Sequence, residues 1–391
     1  MTLPADLVSL SDVYDAKELV NGVIRVTPLE PCRPLTAKLG GPAWLKCENM
    51  QRAGSFKIRG AYNRISTLDV TEVVAASAGN HGQAVAWAAR EIGARARIFM
   101  PQDAPMAKVD ATRHYGAEVE LTPGMLESCI DAATIYVAEH EATLVHPFED
   151  PVVIAGQGTI GLELFEQVPE LETVLIPIGG GGLASGIALA LRALKPGLRI
   201  IGVQAAGTLP TGSGFTIADG IAVKSPGELT TSILDEVLDE MISVTDEEIS
   251  QAIVLLLERT KLVVEGAGAV GVAALLSGKV AGSGCVVPVL SGGNIDATLL
   301  ISVMRHGLAV AGRYLVLRTR VPDRPGGLAK LLSLLAQEHV NVVEVEHQRE
   351  TADLPLGDTG VELTLLTRDP AHCDEVIAIM QRLGYPAERL T

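Results

Sequence analysis

Aromatic side chains are scarce in this chain: Phe, Tyr and Trp supply only 3% of its 391 residues, against 48% apolar residues overall. Its core must therefore be mostly Ala, Val, Leu and Ile, which with 40 glycines suits strands and helices joined by tight turns. Cysteine is equally sparse. Cys32, Cys47, Cys129, Cys285 and Cys373 are odd in number, scattered and form no CxxC pair. That excludes a disulfide framework and zinc-type spacing, and it fits a reducing cytoplasm. Basic charge is in deficit, 31 Lys and Arg against 47 acids for a net −16. Such a surface repels phosphate backbones and anionic membranes, so nucleic acid and membrane are not expected partners. The opening "MTLPADLVSLSDVYDAKELV" has early acids and no basic n-region, unlike a secretory signal. One charge-free run, "TVLIPIGGGGLASGIALAL" (173–191), is interrupted by four glycines, and a buried strand, a turn and a helix start explain it better than a membrane span.

What the chain does have is alternation. "SLSDVYDAKELVNGVI" predicts an opening helix capped by Ser11. "AWLKCEN" predicts a strand leading to the turn before Lys57, and "KIRGAYNRISTL" a helix leaving it. Strands at "EVVAASAG", "RARIFMP" and "AEVELTP" alternate with helices at 80–93, 104–116 and 125–140. The pattern resumes with "TVLIPIG", "GGLASGIALALRAL" and "RIIGVQ", then helices at 245–260 and 266–278 and a strand at "GCVVPVLSGG". This spacing predicts parallel βαβ units, an α/β protein. The texture changes near Gly312. From there "RYLVLRTRVPDRPGGLAKLLSLLAQEHVNVVEVEHQRE" and "GVELTLLTRDPAHCDEVIAIMQRLGY" predict a small ferredoxin-like βαββαβ unit with a short last strand.

Four stretches carry candidate chemistry. Alone, Lys57 in "SFKIRG" leaves two readings: a solvated charge, as most lysines are, or an amine of lowered pKa able to form a Schiff base. "SAGNHGQAV" (77–85) lies between a strand and a helix, where backbone N–H groups can face a carboxylate, or merely cap the helix. "PIGGGGLASG" (177–186) offers a backbone cradle for one phosphate, without the Lys-Ser/Thr of a Walker loop. "LSGGNID" (290–296) sets Ser291 at another strand end, as a site hydroxyl or a plain turn. Together they add up to pyridoxal phosphate bound through a lysine.

The chain resembles the threonine dehydratases of the fold-type II pyridoxal-phosphate family, and their relative serine racemase. The matching pieces are "ENMQRAGSFKIRGAY", "SAGNHGQAVAWAA", "VIAGQGTIGLEL", "PIGGGGLASG", "TIADGIAV", "VVEGAGAVG" and "SGGNID", in the family's order. The resemblance implies two open, mostly parallel α/β domains within residues 1–312, the smaller at about 50–148. It implies that Lys57 holds the cofactor covalently and moves the α-proton, that Phe56 lines the cofactor, and that Asn80 binds its 3′-oxygen. Gly179, Gly180, Gly181, Gly182 and Leu183 would hold the phosphate, and Ser291 would face the pyridine nitrogen with Glu265 nearby. Ser77, Ala78, Gly79 and His81 match the loop that receives the substrate carboxylate. A serine hydroxyl cannot hold a proton on the ring nitrogen as an aspartate would, which favours β-elimination over transamination.

The expected activity is therefore deamination of L-threonine to 2-oxobutyrate and ammonia, with L-serine giving pyruvate. The alternative is a serine racemase or hydroxyaspartate dehydratase of the same family. Racemases of this family place a serine where this chain has Ala78, which cannot move a proton. Gln204 stands where the racemase-type cation site uses Glu, so no metal is assigned. Residues 314–391 resemble an ACT domain, through Pro325, Gly326 and Leu328, with Asp323, Arg324 and Asn341 near the usual ligand groove. That implies an amino-acid effector and allosteric regulation. A homodimer or homotetramer is expected; isoleucine biosynthesis is the role considered, without sequence grounds to separate it from catabolism.

Overall fold

The computed structural model describes residues 8–223, 226–282, 284–348 and 355–390. They fall into two compact units, residues 1–297 and 298–391. The first opens with helix α1 (Leu10–Val20), whose cap is Ser9 rather than the expected Ser11. The reason is the acid three residues on. Ser9 Oγ accepts the Asp12 N–H (3.3 Å) while the Asp12 carboxylate accepts the Ser9 N–H (2.7 Å), a reciprocal capping box.

Strands β1 (Leu29–Pro31) and β2 (Trp44–Lys46) pair antiparallel around α2 (Arg33–Leu39). After α3 (Lys57–Ser66) come β3 (Glu72–Ala76), α4 (Asn80–Ile92), β4 (Arg95–Pro101), α5 (Met106–His114), β5 (Glu118–Thr122), α6 (Leu126–Glu139) and β6 (Thr143–Leu144). Their four strands form a parallel sheet in the order β5-β4-β3-β6. Helix α7 (Pro151–Gln167) then leads to β7 (Leu171–Pro177), α8 (Gly182–Leu194), β8 (Arg199–Ala205), α9 (Glu228–Val237), β9 (Glu240–Val244), α10 (Asp246–Leu255), α11 (Gly266–Leu276) and β10 (Cys285–Pro288). This second sheet is also parallel, in the order β10-β7-β8-β9. A π-helical turn, Leu256–Thr260, ends α10 where an unbroken helix to 260 was expected.

Helix α7 was not expected. Every residue from Val153 to Leu164 is buried, so it has no polar face to betray a helical period. Its glycines, poor helix formers, permit close packing instead. A Cβ on Gly156 would come within 2.7 Å of the Gly60 Cα, and one on Gly158 within 3.0 Å of the Gly186 carbonyl. Asp150 caps the helix by accepting the Val152 and Val153 N–H groups, with Pro151 in its first turn.

The second unit begins within α12 (Ala297–Val310) and continues through β11 (Tyr314–Pro322), α13 (Gly327–Gln337), β12 (Asn341–Gln348), β13 (Asp358–Leu366), α14 (Pro370–Arg382) and β14 (Glu388–Arg389). The sheet is antiparallel, ordered β12-β13-β11-β14, over a core that includes Leu317, Leu331, Leu335, Leu363 and Met380. The units thus divide at the first residue of α12, whereas the change in sequence texture falls at Gly312.

Between β2, α3 and α7 lies a buried cluster of two cations and two carboxylates. Arg59 donates Nε and Nη2 to the two Glu48 oxygens (both 2.8 Å), and Nη1 and Nη2 to those of Glu163 (2.6 and 3.0 Å). Lys46 pairs with Glu163 and donates to the Thr27 carbonyl (2.9 Å). Burial opposes the Glu163 charge, but Arg59 and Lys46 hold its pKa below the ordinary carboxylate value. Glu163→Gln would leave buried positive charge unbalanced, so a stability loss of about 3–5 kcal/mol is expected as a lower urea midpoint. An unchanged midpoint would show that the cluster does not hold α3 to α7.

Candidate active site

From the two parallel sheets of the first unit, β3, β4 and β7 end at one cavity of about 310 Å³, which Ala76, Pro101 and Pro177 help line. Ligand sites of open parallel sheets form at strand C-termini, where loops and helix N-termini gather. Lys57 is the first residue of α3. The turn before it is tied to the segment after β10, because the Phe56 N–H donates to the Ser291 carbonyl (3.1 Å). The Lys57 Nζ donates to the Pro147 carbonyl (3.0 Å) and sits 5.2 Å from the Phe56 ring centre. Burial lowers its pKa from 10.5 to about 8, with Glu265 pulling the other way. Such an amine is neutral far more often than a surface lysine, and so can act as nucleophile or base.

Ser77, Ala78 and Gly79 connect β3 to α4, whose first residue is Asn80. The Ser77 hydroxyl accepts the Gly79 N–H (3.1 Å). His81 is buried, with Nε2 2.8 Å from the Val145 carbonyl, so that nitrogen carries the ring proton. Burial and the Lys57 charge lower its pKa to about 3. Asn80 is held at both ends of its amide: Nδ2 donates to Glu265 Oε1 (2.7 Å), and Oδ1 accepts from Asn294 Nδ2 (2.8 Å). Glu265 stands immediately before α11, and burial followed by the Asp219 charge raises its pKa to about 7.

Gly179 to Gly182 turn from β7 into α8, and Gly181 takes the left-handed φ of +91° that glycine alone adopts cheaply. There is no room for larger residues. A Cβ on Gly180 would lie 2.2 Å from the Phe148 ring, and one on Gly181 2.8 Å from Thr230. The Thr230 hydroxyl donates to the Gly180 carbonyl (2.7 Å), which leaves the amides at the α8 N-terminus as the donors for an anion. Leu183 and Ser291 complete the wall. All fourteen residues singled out from the sequence for the cofactor and the substrate line this one cavity.

The sequence reading did not single out Pro147, Phe148, Asn294, Lys108 or Asp219, which line it as well. Lys108 and Asp219 form an ion pair of 2.6 Å. The Asp150-Pro151 cap signature was available in the sequence and would have drawn attention to "HPF" just ahead of it. An amine of lowered pKa facing a glycine cradle that no side chain can fill fits an aldehyde cofactor with one phosphate.

Residues 20–292 match the family described as pyridoxal-phosphate dependent enzyme. The chain belongs to that family. Residues 315–370 match the ACT domain. The L-threonine ammonia-lyase of Thermotoga maritima is 43% identical, over 97% of this chain and 98% of its own. Among solved structures, the threonine deaminase of T.th. is 39% identical with a TM-score of 0.69, covering 74% of this chain and 99% of its own. Maize serine racemase is 35% identical with a TM-score of 0.71, covering 78% and 99%. This pyridoxal-phosphate enzyme therefore has the fold-type II arrangement of parallel sheets, followed by an ACT domain.

The buried His81 gives an acid-stability signature. The unfolded histidine takes a proton below about pH 6.5, while the folded one resists until about pH 3. Between those values the unfolded state binds more protons, so stability is full above pH 6.5 and falls as pH drops toward 3. Urea midpoints across that window should fall less steeply for His81→Asn than for wild type; equal slopes would show that His81 is not held neutral.

Proposed function

We propose that this enzyme deaminates L-threonine to 2-oxobutyrate and ammonia by β-elimination, and L-serine to pyruvate. The observation that carries the reading is Lys57, an amine of pKa about 8 in one cavity with the Gly179–Gly182 cradle and the α4 N-terminus. When bound, pyridoxal phosphate supplies an electron sink for charge developing at the substrate α-carbon. Lys57 is its covalent anchor and then moves the α-proton. Asn80, oriented by Glu265 and Asn294, offers its amide to the 3′-oxygen. Gly179 to Leu183 take the phosphate, Phe56 lines the cofactor, and Ser291 meets the pyridine nitrogen as a neutral hydroxyl. Ser77, Ala78, Gly79 and His81 receive the substrate carboxylate.

Ala78 separates this reading from racemisation. A racemase needs a proton donor on the face opposite the lysine, and a methyl group is none. The threonine methyl is worth only ~1–3 kcal/mol of discrimination, so serine is accepted too. The catalytic domain is taken as residues 1–312, with a smaller subdomain at about 50–148, and residues 314–391 as the regulatory one. An amino-acid effector would bind a cavity of about 320 Å³ lined by Asp323, Arg324, His347 and Thr359; Asn341 lies outside its lining. The protein works in the cytoplasm as a homodimer or homotetramer, in either isoleucine biosynthesis or threonine catabolism.

Product analysis tests the activity. L-Threonine should give 2-oxobutyrate and L-serine pyruvate, each with equimolar ammonia, and D-serine should be a trace product. D-Serine exceeding pyruvate would overturn the reading. Ala78→Ser should raise D-serine formation roughly tenfold or more, since it restores a proton-carrying group.

A further inference from the structure

The segment between β6 and α7, His146-Pro147-Phe148-Glu149-Asp150, reaches four parts of the first unit at once. The Pro147 carbonyl accepts the Lys57 amine (3.0 Å). Phe148 lies against the cradle, where a Cβ on Gly180 or Gly182 would collide with it. A Glu149 oxygen accepts the Leu229 N–H at the start of α9. Asp150 caps α7 and pairs with Arg64 of α3 (2.8 Å).

One ring makes the turn that allows all of this. His146 Nδ1 accepts the backbone N–H groups of Phe148 (3.3 Å) and Glu149 (2.7 Å). Pro147 has no N–H, so these are the next two amides in the chain. The ring also stands edge-on to Phe148, with centroids 4.8 Å apart and an 84° interplanar angle. A nitrogen that accepts two amides carries no proton, so the ring is neutral with its hydrogen on Nε2. Burial, joined by the Lys57 charge, lowers its pKa against the opposing pull of Glu149 and Asp150.

We propose that His146 is a positioning residue for the active site: its Nδ1 fixes the turn that aims the Pro147 carbonyl at Lys57 and seats Phe148 on the glycine cradle. The proposal rests on the reading of Lys57 as the cofactor anchor, but its geometry is a property of the protein alone. It separates two parts of one side chain. The ring packs on Phe148, whereas the acceptor builds the turn. His146→Phe keeps a ring and removes the acceptor. His146→Asn removes the ring but keeps an acceptor on the same branch, one that accepts amides two and three residues on, as in an Asx turn.

The test uses the full chain and two readouts. The first is the acylation rate of Lys57 in the cofactor-free protein, followed by mass spectrometry of its peptide. The second is the Kd of pyridoxal phosphate, titrated by fluorescence. In His146→Phe, Lys57 should acylate roughly tenfold faster and the Kd should rise roughly tenfold, because misplacement by about 1 Å is costly. In His146→Asn both should stay within about threefold of wild type, since its acceptor still makes the turn. Wild-type values in His146→Phe, or equal impairment in both variants, would overturn the proposal. Should His146→Phe not fold, His146→Asn decides alone, wild-type-like supporting the acceptor role and impaired overturning it. A wild-type protein that binds no pyridoxal phosphate contradicts the proposed function, while the acylation rates still decide the role of His146.

Discussion

A lysine can be placed to react only if the helix that carries it cannot move, and here that helix is pinned by buried charge. Arg59, two residues beyond Lys57 in α3, is gripped by both oxygens of Glu48 and both of Glu163 with no exposure to water. Paired forks of this kind fix direction as well as distance. Because Glu48 precedes the turn and Glu163 lies on α7, the cluster joins three separate stretches of chain. Burying four charges is not in itself stabilising; what the arrangement supplies is a single geometry, since losing one partner strands the others.

From that base the site is assembled by burial and backbone. Within one cavity Lys57 is pushed down to about 8, Glu265 up to about 7 and His81 down to about 3, each toward its neutral form. Desolvation is the first cause in all three. Positive potential for an anion comes instead from helix N-termini at α4 and α8, which suits a protein whose net charge is −16. The site can thus bind phosphate and carboxylate without a row of cationic side chains.

Most of the framework was legible in the sequence because its elements obey one period each. The β3-to-α6 and β7-to-β8 alternations were expected nearly residue for residue, as was the βαββαβ order of the second unit. Lys57, the SAGNHG loop and the glycine run could each be singled out, since chemistry demands those residue types at strand ends. Helices α2, α9 and α12 and strand β9 were not expected either, but the misses that matter for the site are what burial hides. Helix α7 is buried on every side and glycine-spaced, so no exposed polar face marks its period, and Glu163, a partner of Arg59, was lost with it. The Ser11 cap failed because the acid that completes a capping box stands three residues after Ser9. The strap before α7 has little regular structure, and its work is done by a carbonyl, an amide pair and a ring face. None of these leaves a pattern in a string of letters.

The central claim is that Lys57 carries the cofactor. Borohydride reduction of the native enzyme makes the lysine–cofactor bond permanent, and peptide mass spectrometry then locates it. The account predicts one pyridoxyl-phosphate adduct per chain, on the peptide containing Lys57. An adduct on another lysine, or none on a protein that turns over threonine, would contradict it.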